Sequence, residues 1–287
     1  MIGYLIDKIG ALCPFLNLKQ ITMTKFLESL ADDKVYYADK THVTCSMLKH
    51  LLKSPAHLKS YLDNPPESTP AMVFGSAFHC MVLEPDNFND RFYILDTDLR
   101  PEKEKTMTSK INKTWKLEEI EHAKIQEKQI ITILDLNKID SMCESLFAHK
   151  DVVGILNQSK KETAITWDWN EGLSKIKCKG KLDLQSFDFI ADIKTTASFG
   201  GLEKFRYDCK NYNYDMQAAF YCDALGLDQF KFIVIGKDYP FSVGVFDVSH
   251  EFLEAGRRKY QYALELYEKY FLSCTENIDS YIEKGTL

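Results

Sequence analysis

The 287 residues carry 42 acidic and 36 basic side chains, a net charge of −6, with 45% hydrophobic and 27% charged residues. That balance belongs to a folded globular chain long enough to bury a sizeable core as one large domain or two small ones, and it excludes disordered and collagen-like classes. An acidic total also argues against a polyanion bound over the whole surface, so any contact with phosphates has to be local.

No apolar run approaches the roughly 20 residues that cross a bilayer. Residues 1–25 read as an extension. Their opening "MIGYLIDKIGALCPFLNLK" is interrupted by Asp7 and Lys8, with neither a basic leader nor a small-residue cleavage site, so no signal peptide is expected. Eight cysteines (Cys13, Cys45, Cys80, Cys143, Cys178, Cys209, Cys222 and Cys274) are scattered without C-x₂-C spacing, which fits free thiols in a reducing cytoplasm.

Thr44 or Ser46 caps a short helix "SMLKHLLK", and Ser54 followed by Pro55 starts a second, "PAHLKSYL", which "NPPESTP" ends. "AMVFGSAFHCMVLEP" reads as a buried helix stopped by Pro85, with Gly75 and His79 four apart on one face; a glycine there lets another backbone approach the imidazole. Residues 86–130 are polar and lysine-rich, expected as a mobile loop with partial helix, and 131–157 return to helical spacing.

From residue 162 the period changes to two. "TAITWDWN", "SKIKCKGKLDL" and "FDFIADIKT" read as three strands of an antiparallel meander. In the middle one, Ile176, Cys178, Gly180, Leu182 and Leu184 alternate with Lys175, Lys177, Lys179, Lys181 and Asp183. A helix "NYNYDMQAAFYCDALG" closed by Gly226 follows, then strands "FKFIVIG" and "FSVGVFDV" and an amphipathic helix over 249–273.

In the third strand Asp192 and Lys194 point to one side, while Phe189, Ala191 and Ile193 point to the other. A tight turn between the strands brings Asp183 opposite or diagonal to Asp192, about 5–8 Å apart at Cβ. Two carboxylates that close repel unless a cation lies between them or one is protonated. Oxygen ligands with room for water suit Mg²⁺ or Mn²⁺, and such an ion with a lysine beside it is suited to phosphodiester hydrolysis. On pattern alone, D-x₈-D-x-K equally fits a solvated surface hairpin. His79 equally fits a core histidine, and Gln217 and Tyr221 a plug between helix and sheet. Glu162 reads either as a further ligand or as a surface acid beside Lys160 and Lys161. His42, His50 and His57 read as structural or surface residues.

The stretches "SMLKHLLKSPAHLKSYL", "GSAFHCMVLEP", "CKGKLDL", "ADIKTT" and "YDMQAAFYCDAL", in this order over roughly residues 40–250, resemble the PD-(D/E)XK nuclease superfamily. Within it they are similar to the RecE-like (exonuclease VIII) branch, related to the RecB nuclease domain and lambda exonuclease. The resemblance implies an α/β (α+β) restriction-endonuclease-like core, a central mixed sheet flanked by helices, as one nuclease domain over 26–287. It implies metal ligands His79, Asp183, Asp192 and the Ile193 backbone carbonyl, with Glu162 a further candidate. Lys194 takes the catalytic lysine position, and Gln217 and Tyr221 support the site or touch the substrate strand. Ser46, Lys53 and Ser54 fall in the part that lies near the DNA end in these enzymes, and Lys175, Lys177, Lys179 and Lys181 offer a basic strip for the DNA backbone.

The activity so implied is a Mg²⁺-dependent exodeoxyribonuclease, with Mn²⁺ able to substitute, that digests linear double-stranded DNA 5′ to 3′ and leaves 3′ overhangs for recombination by a single-strand annealing protein. The implied assembly is a homo-oligomeric ring, a tetramer, with no membrane partner, in a bacterial cytoplasm or encoded by a phage or prophage. Relatives with an iron–sulfur cluster carry three clustered downstream cysteines; only Cys274 stands there, so no cluster is expected. Two other readings stay open: a structure-specific or defence-related endonuclease with the same site, and a DNA-binding or assembly module that no longer turns over.

Overall fold

A computed structural model describes residue 30, residues 32–172 and residues 174–283; the expected extension over 1–25 lies outside the described residues. The first elements among the described residues are α1 (Asp33–Ala38), the tandem pair α2 (Cys45–Leu51) and α3 (Pro55–Asp63), and the long α4 (Pro70–Leu83). Each start is capped by a side chain: Asp32, Thr44, Ser54 and Thr69 accept from backbone N–H groups of the first turn. Pro55 and Pro70 occupy first helical positions, where a missing N–H costs nothing.

The 86–130 segment is more ordered than its polarity suggests. It holds α5 (Phe88–Arg91), β1 (Phe92–Leu95), α6 (Lys110–Ile125) and the start of β2 (Gln129–Thr132), with β1 and β2 paired in parallel. The buried Asn112 side chain organises the turn before α6: its amide donates to the carbonyls of Glu102, Lys105 and Thr106, and its oxygen accepts from Glu102 N. Such a polar knot has no hydrophobic period to betray it. Ile131 belongs to β2 and not to a helix; the Thr132–Asp135 capping box starts α7 (Ile133–Phe147), and α8 (Lys150–Gln158) follows.

The main sheet has the order β3-β4-β5-β6-β7, with β3 (Lys160–Trp169), β4 (Ile176–Gln185), β5 (Ile190–Thr196), β6 (Phe230–Gly236) and β7 (Val243–Asp247). β5 and β6 run parallel, and the other neighbours are antiparallel. The parallel pair requires a crossover, supplied by α9 (Gly201–Tyr212) and α10 (Tyr214–Leu225). The expected single helix from 211 is therefore the second of two, separated at Asn213, which adopts φ +50°. Gly226 ends α10 in the same left-handed region, and α11 (His250–Tyr267) completes the fold.

The sheet buries both faces. Leu48, Leu51, Phe220, Tyr260 and Leu264 pack with Phe230, Phe232 and Val234 on one side; Phe78, Met142, Leu146 and Val152 pack with Ala191, Ile193, Ile233 and Ile235 on the other. The β4–β5 ladder has only two bridging pairs, Leu184 with Ala191 and Gln185 with Ile190. Beyond them the strands part, and Val43 takes the freed edge of β4: its N–H donates to Lys177 O (2.8 Å), and its carbonyl accepts from Lys179 N (2.9 Å).

α10 and α11 cross at Gly256, where an added Cβ would lie 2.0 Å from the Asp215 carbonyl oxygen. That neighbour is backbone and cannot rotate away. Gly256→Ala is expected to destabilise the protein by about 1–3 kcal/mol by overpacking, read as a lower urea midpoint. An unchanged midpoint would contradict the close crossing.

Candidate metal centre

The register places three acids in one row. Thr163 pairs with Leu182 and Lys161 with Leu184, so Glu162 of β3 lies level with Asp183 of β4. One step past the Leu184–Ala191 pair, Asp183 lies level with Asp192 of β5, where the ladder has already ended. Asp183 bridges the gap itself: its Oδ2 accepts from Ile193 N at 2.8 Å. Glu162 adopts φ +49°, uncommon for a residue with a side chain and a form of backbone strain that collects at functional positions.

His79 enters from α4, behind Phe78 in the core. Its Nδ1 lies 3.5 Å from Asp183 Oδ2. Gly75 is not a forced approach, because a Cβ there would meet Thr195 Oγ1 at an ordinary 3.9 Å. His79, Glu162 and Asp183 each bring one ligand atom to within 4.8 Å of the others. That spacing can surround one hard cation, whose oxygen ligands sit at about 2.0–2.6 Å.

Asp192 stands beside this trio and faces α10. Gln217 Nε2 donates to its Oδ1 at 2.6 Å, and Lys194 Nζ lies 2.6 Å from its Oδ2. Lys194 also reaches Gln217 Oε1 at 3.4 Å and sits 4.8 Å from the centroid of the Tyr214 ring. The Lys194 ammonium forms a close ion pair with Asp192 Oδ2. Asp192 and Lys194 thus share one side of β5 with Gln217, while Ala191 and Ile193 enter the opposite core.

Burial pushes the Asp183 carboxyl well above its ordinary range, and the nearby Asp192 adds to the rise. Glu162 is raised by burial and then by Asp183, although Lys181 lies 3.0 Å away. Burial lowers His79, against the pull of Asp192, which favours the neutral imidazole that a metal needs. Burial alone would lower Lys194, but Asp192 and then Asp183 hold it above its usual value as a firm ammonium. Crowded acids that resist ionising fit a divalent ion beside them.

The remaining expected residues divide. Tyr221 is buried, its ring lying where a Cβ on Gly180 would come to 2.6 Å, so it packs on the β4 backbone. Ser54 caps α3, accepting from His57 N and bonding His57 Nδ1 at 2.7 Å, while Ser46 and Lys53 are exposed. The basic strip on β4 needs correction. Lys179 is 2% exposed, with its amine on the Tyr36 carbonyl, the Asp39 carbonyl (2.8 Å) and Asp39 Oδ2 (3.1 Å), and its cation over the Tyr36 ring. Lys181 bridges Glu162 and Asp33 (2.6 Å). Lys175 pairs with Asp168, and Lys177 is exposed level with the same acid. α1 and its flank cover Lys179 and Lys181, so these two are not part of a phosphate track, while Lys175 and Lys177 stay exposed.

Sequence reasoning passed over Tyr214 and Lys49. Tyr214, Gln217 and Tyr221 fall at i, i+3 and i+7, so the helix face that exposes Gln217 also carries Tyr214. Nothing in the spacing of α2 separates Lys49 from an ordinary helix lysine.

No curated protein sequence matches the chain. A candidate exonuclease from Eubacterium rectale has a similar structure, with TM-score 0.55 and 13% identity over 88% of this chain and 92% of that one. A phage-related exonuclease from Haemophilus somnus 129PT aligns with TM-score 0.33 and 15% identity over 79% of this chain and 94% of that one. With the acids of a parted hairpin and a lysine two residues on already in view, the family model that matches residues 44–276 is a PDDEXK-like domain of unknown function (DUF3799), and the chain belongs to that family.

Proposed function

We infer that the protein is a divalent-metal-dependent nuclease that degrades linear double-stranded DNA from its ends, 5′ to 3′, with Mg²⁺ as the working ion. The convergence of His79, Glu162 and Asp183 beside the Asp192–Lys194 pair carries this reading. Exonuclease action is supported by the resemblance of the ordered motifs to the RecE-like branch, and the expected 3′ overhang suits a strand-annealing partner.

His79, Asp183 and Glu162 would hold the ion, with Asp192 and the Ile193 carbonyl completing its surroundings. A bound ion polarises a phosphoryl oxygen and makes its water more acidic. Lys194, kept protonated by Asp192, orients the attacking water and balances the negative charge that builds on the phosphate. Gln217 grips Asp192 and Lys194 at once and so fixes the lysine's direction. Tyr214 supports the same ammonium with its ring face. Tyr221 holds α10 against β4 and keeps Gln217 at the right height.

Lys194→Ala and Asp183→Asn are expected to lower cleavage of end-labelled linear duplex in Mg²⁺ by at least about 100-fold, with circular dichroism unchanged. Near-full activity in both variants would refute the site. Direction is read from the order in which 5′- and 3′-labelled products appear, and covalently closed duplex should survive; cutting of the closed circle would favour the endonuclease reading. Calorimetric titration with Mn²⁺ should show binding to the wild-type protein that Asp183→Asn removes. Equal binding by both would place the ion elsewhere.

A further inference from the structure

Lys49 of α2 is a partly buried cation beside the candidate site that makes no ion pair with a carboxylate among the described residues. Its amine lies 5.4 Å from the centroid of the Tyr214 ring, the same ring that carries Lys194 at 4.8 Å. The other lysines built into this part of the fold each have an acid: Lys179 has Asp39, Lys181 has Glu162 and Asp33, Lys194 has Asp192, and Lys259 has Asp215. Among the described residues Lys49 has no ion pair, and its electrostatic neighbours are Cys45, Lys194, Asp192 and Asp215. Burial and then Lys194 weigh against its charge, and Cys45, Asp192 and Asp215 favour it from a distance without any ion pair to Lys49 among the described residues.

A partly buried ammonium beside a ring face and without an ion-paired acid is matched by a ligand that brings an anion. The two amines share one aromatic seat, and Lys194 is engaged by Asp192 and Gln217, which leaves Lys49 as the available donor. A lysine binds phosphate as a compact point charge with three donors. Resting on the nuclease reading, we propose that Lys49 is a substrate-binding residue that takes a DNA phosphate next to the one being cut, with Tyr214 setting its distance from Lys194. The phosphate belongs either to the continuing strand or to a phosphorylated 5′ end; the chemistry is shared, and the test separates them.

The measurement is binding of a fluorescent linear duplex, with EDTA present to prevent hydrolysis, by wild type, Lys49→Ala and Lys49→Arg over a series of salt concentrations. Loss of one phosphate contact should weaken binding several-fold in the alanine variant and reduce the slope of log K against log salt by about one, with arginine restoring the slope. In Mg²⁺ the alanine variant should raise KM and leave kcat within about twofold. A penalty on 5′-phosphorylated duplex alone assigns the terminal phosphate; an equal penalty on 5′-hydroxyl duplex assigns an internal one. If wild type cleaves DNA while Lys49→Ala keeps its affinity, slope and KM, the assignment of Lys49 is overturned and the nuclease reading stands. If wild type binds without cleaving, a changed slope retains Lys49 as a phosphate ligand while the catalytic reading fails. Absence of both binding and cleavage in wild type overturns both. Lys49→Met, which keeps the apolar stem on Tyr214, guards against misfolding, and a wild-type melting temperature with the same loss of slope separates charge from packing.

Discussion

β4 and β5 stay paired for two residues on each strand and then separate at Asp183 and Asp192, and the candidate site depends on that separation. A continued ladder would hold the two carboxylates across a closed backbone pair, with no room for a third group. The parted strands instead let Asp183 take the Ile193 amide for itself, turn Asp192 towards α10, and admit His79 from the helix on the other face. The chemistry therefore arises at a discontinuity in secondary structure, and both layers contribute to it.

Charge around this opening is arranged by depth. Lys194 is pinned as an ammonium by the acid two residues before it, Lys181 is shared between Glu162 and the first helix, and Lys179 is sealed among carbonyls and Asp39. Three lysines on nearby strand positions thus have unrelated duties, decided by what packs over each. An acidic protein can still offer a phosphate a favourable place, because the local balance and not the total of −6 governs that contact.

Much of the core was legible from period and punctuation. The tandem helices, the buried His79 helix, the five main-sheet strands and the last helix follow from alternation, from proline and glycine positions and from capping residues. Strand alternation constrains where Asp183, Asp192 and Lys194 point, while their role and that of His79 come from the resemblance of the ordered motifs to the nuclease superfamily. What escaped was set by partners distant in sequence. The β1–β2 pair needs Phe92 and Gln129 to meet across a polar segment, and the knot around Asn112 has no periodic trace. Alternation along β4 suggested an open lysine face, yet Tyr36 and Asp39, some 140 positions earlier, cover Lys179. Glu162 looked ambiguous beside two lysines and joins the ligand cluster through its left-handed backbone and its level with Asp183.

The two hydrogen bonds of Val43 have a consequence for solubility. A sheet opened for chemistry exposes unpaired amides and carbonyls along a strand, and such an edge invites other chains to add to it. Here the chain's own backbone occupies the vacated stretch of β4 immediately before α2 begins. The protein can keep its sheet split at the acids without presenting that stretch as an adhesive border, and the helix that bears Lys49 is anchored to the same frame.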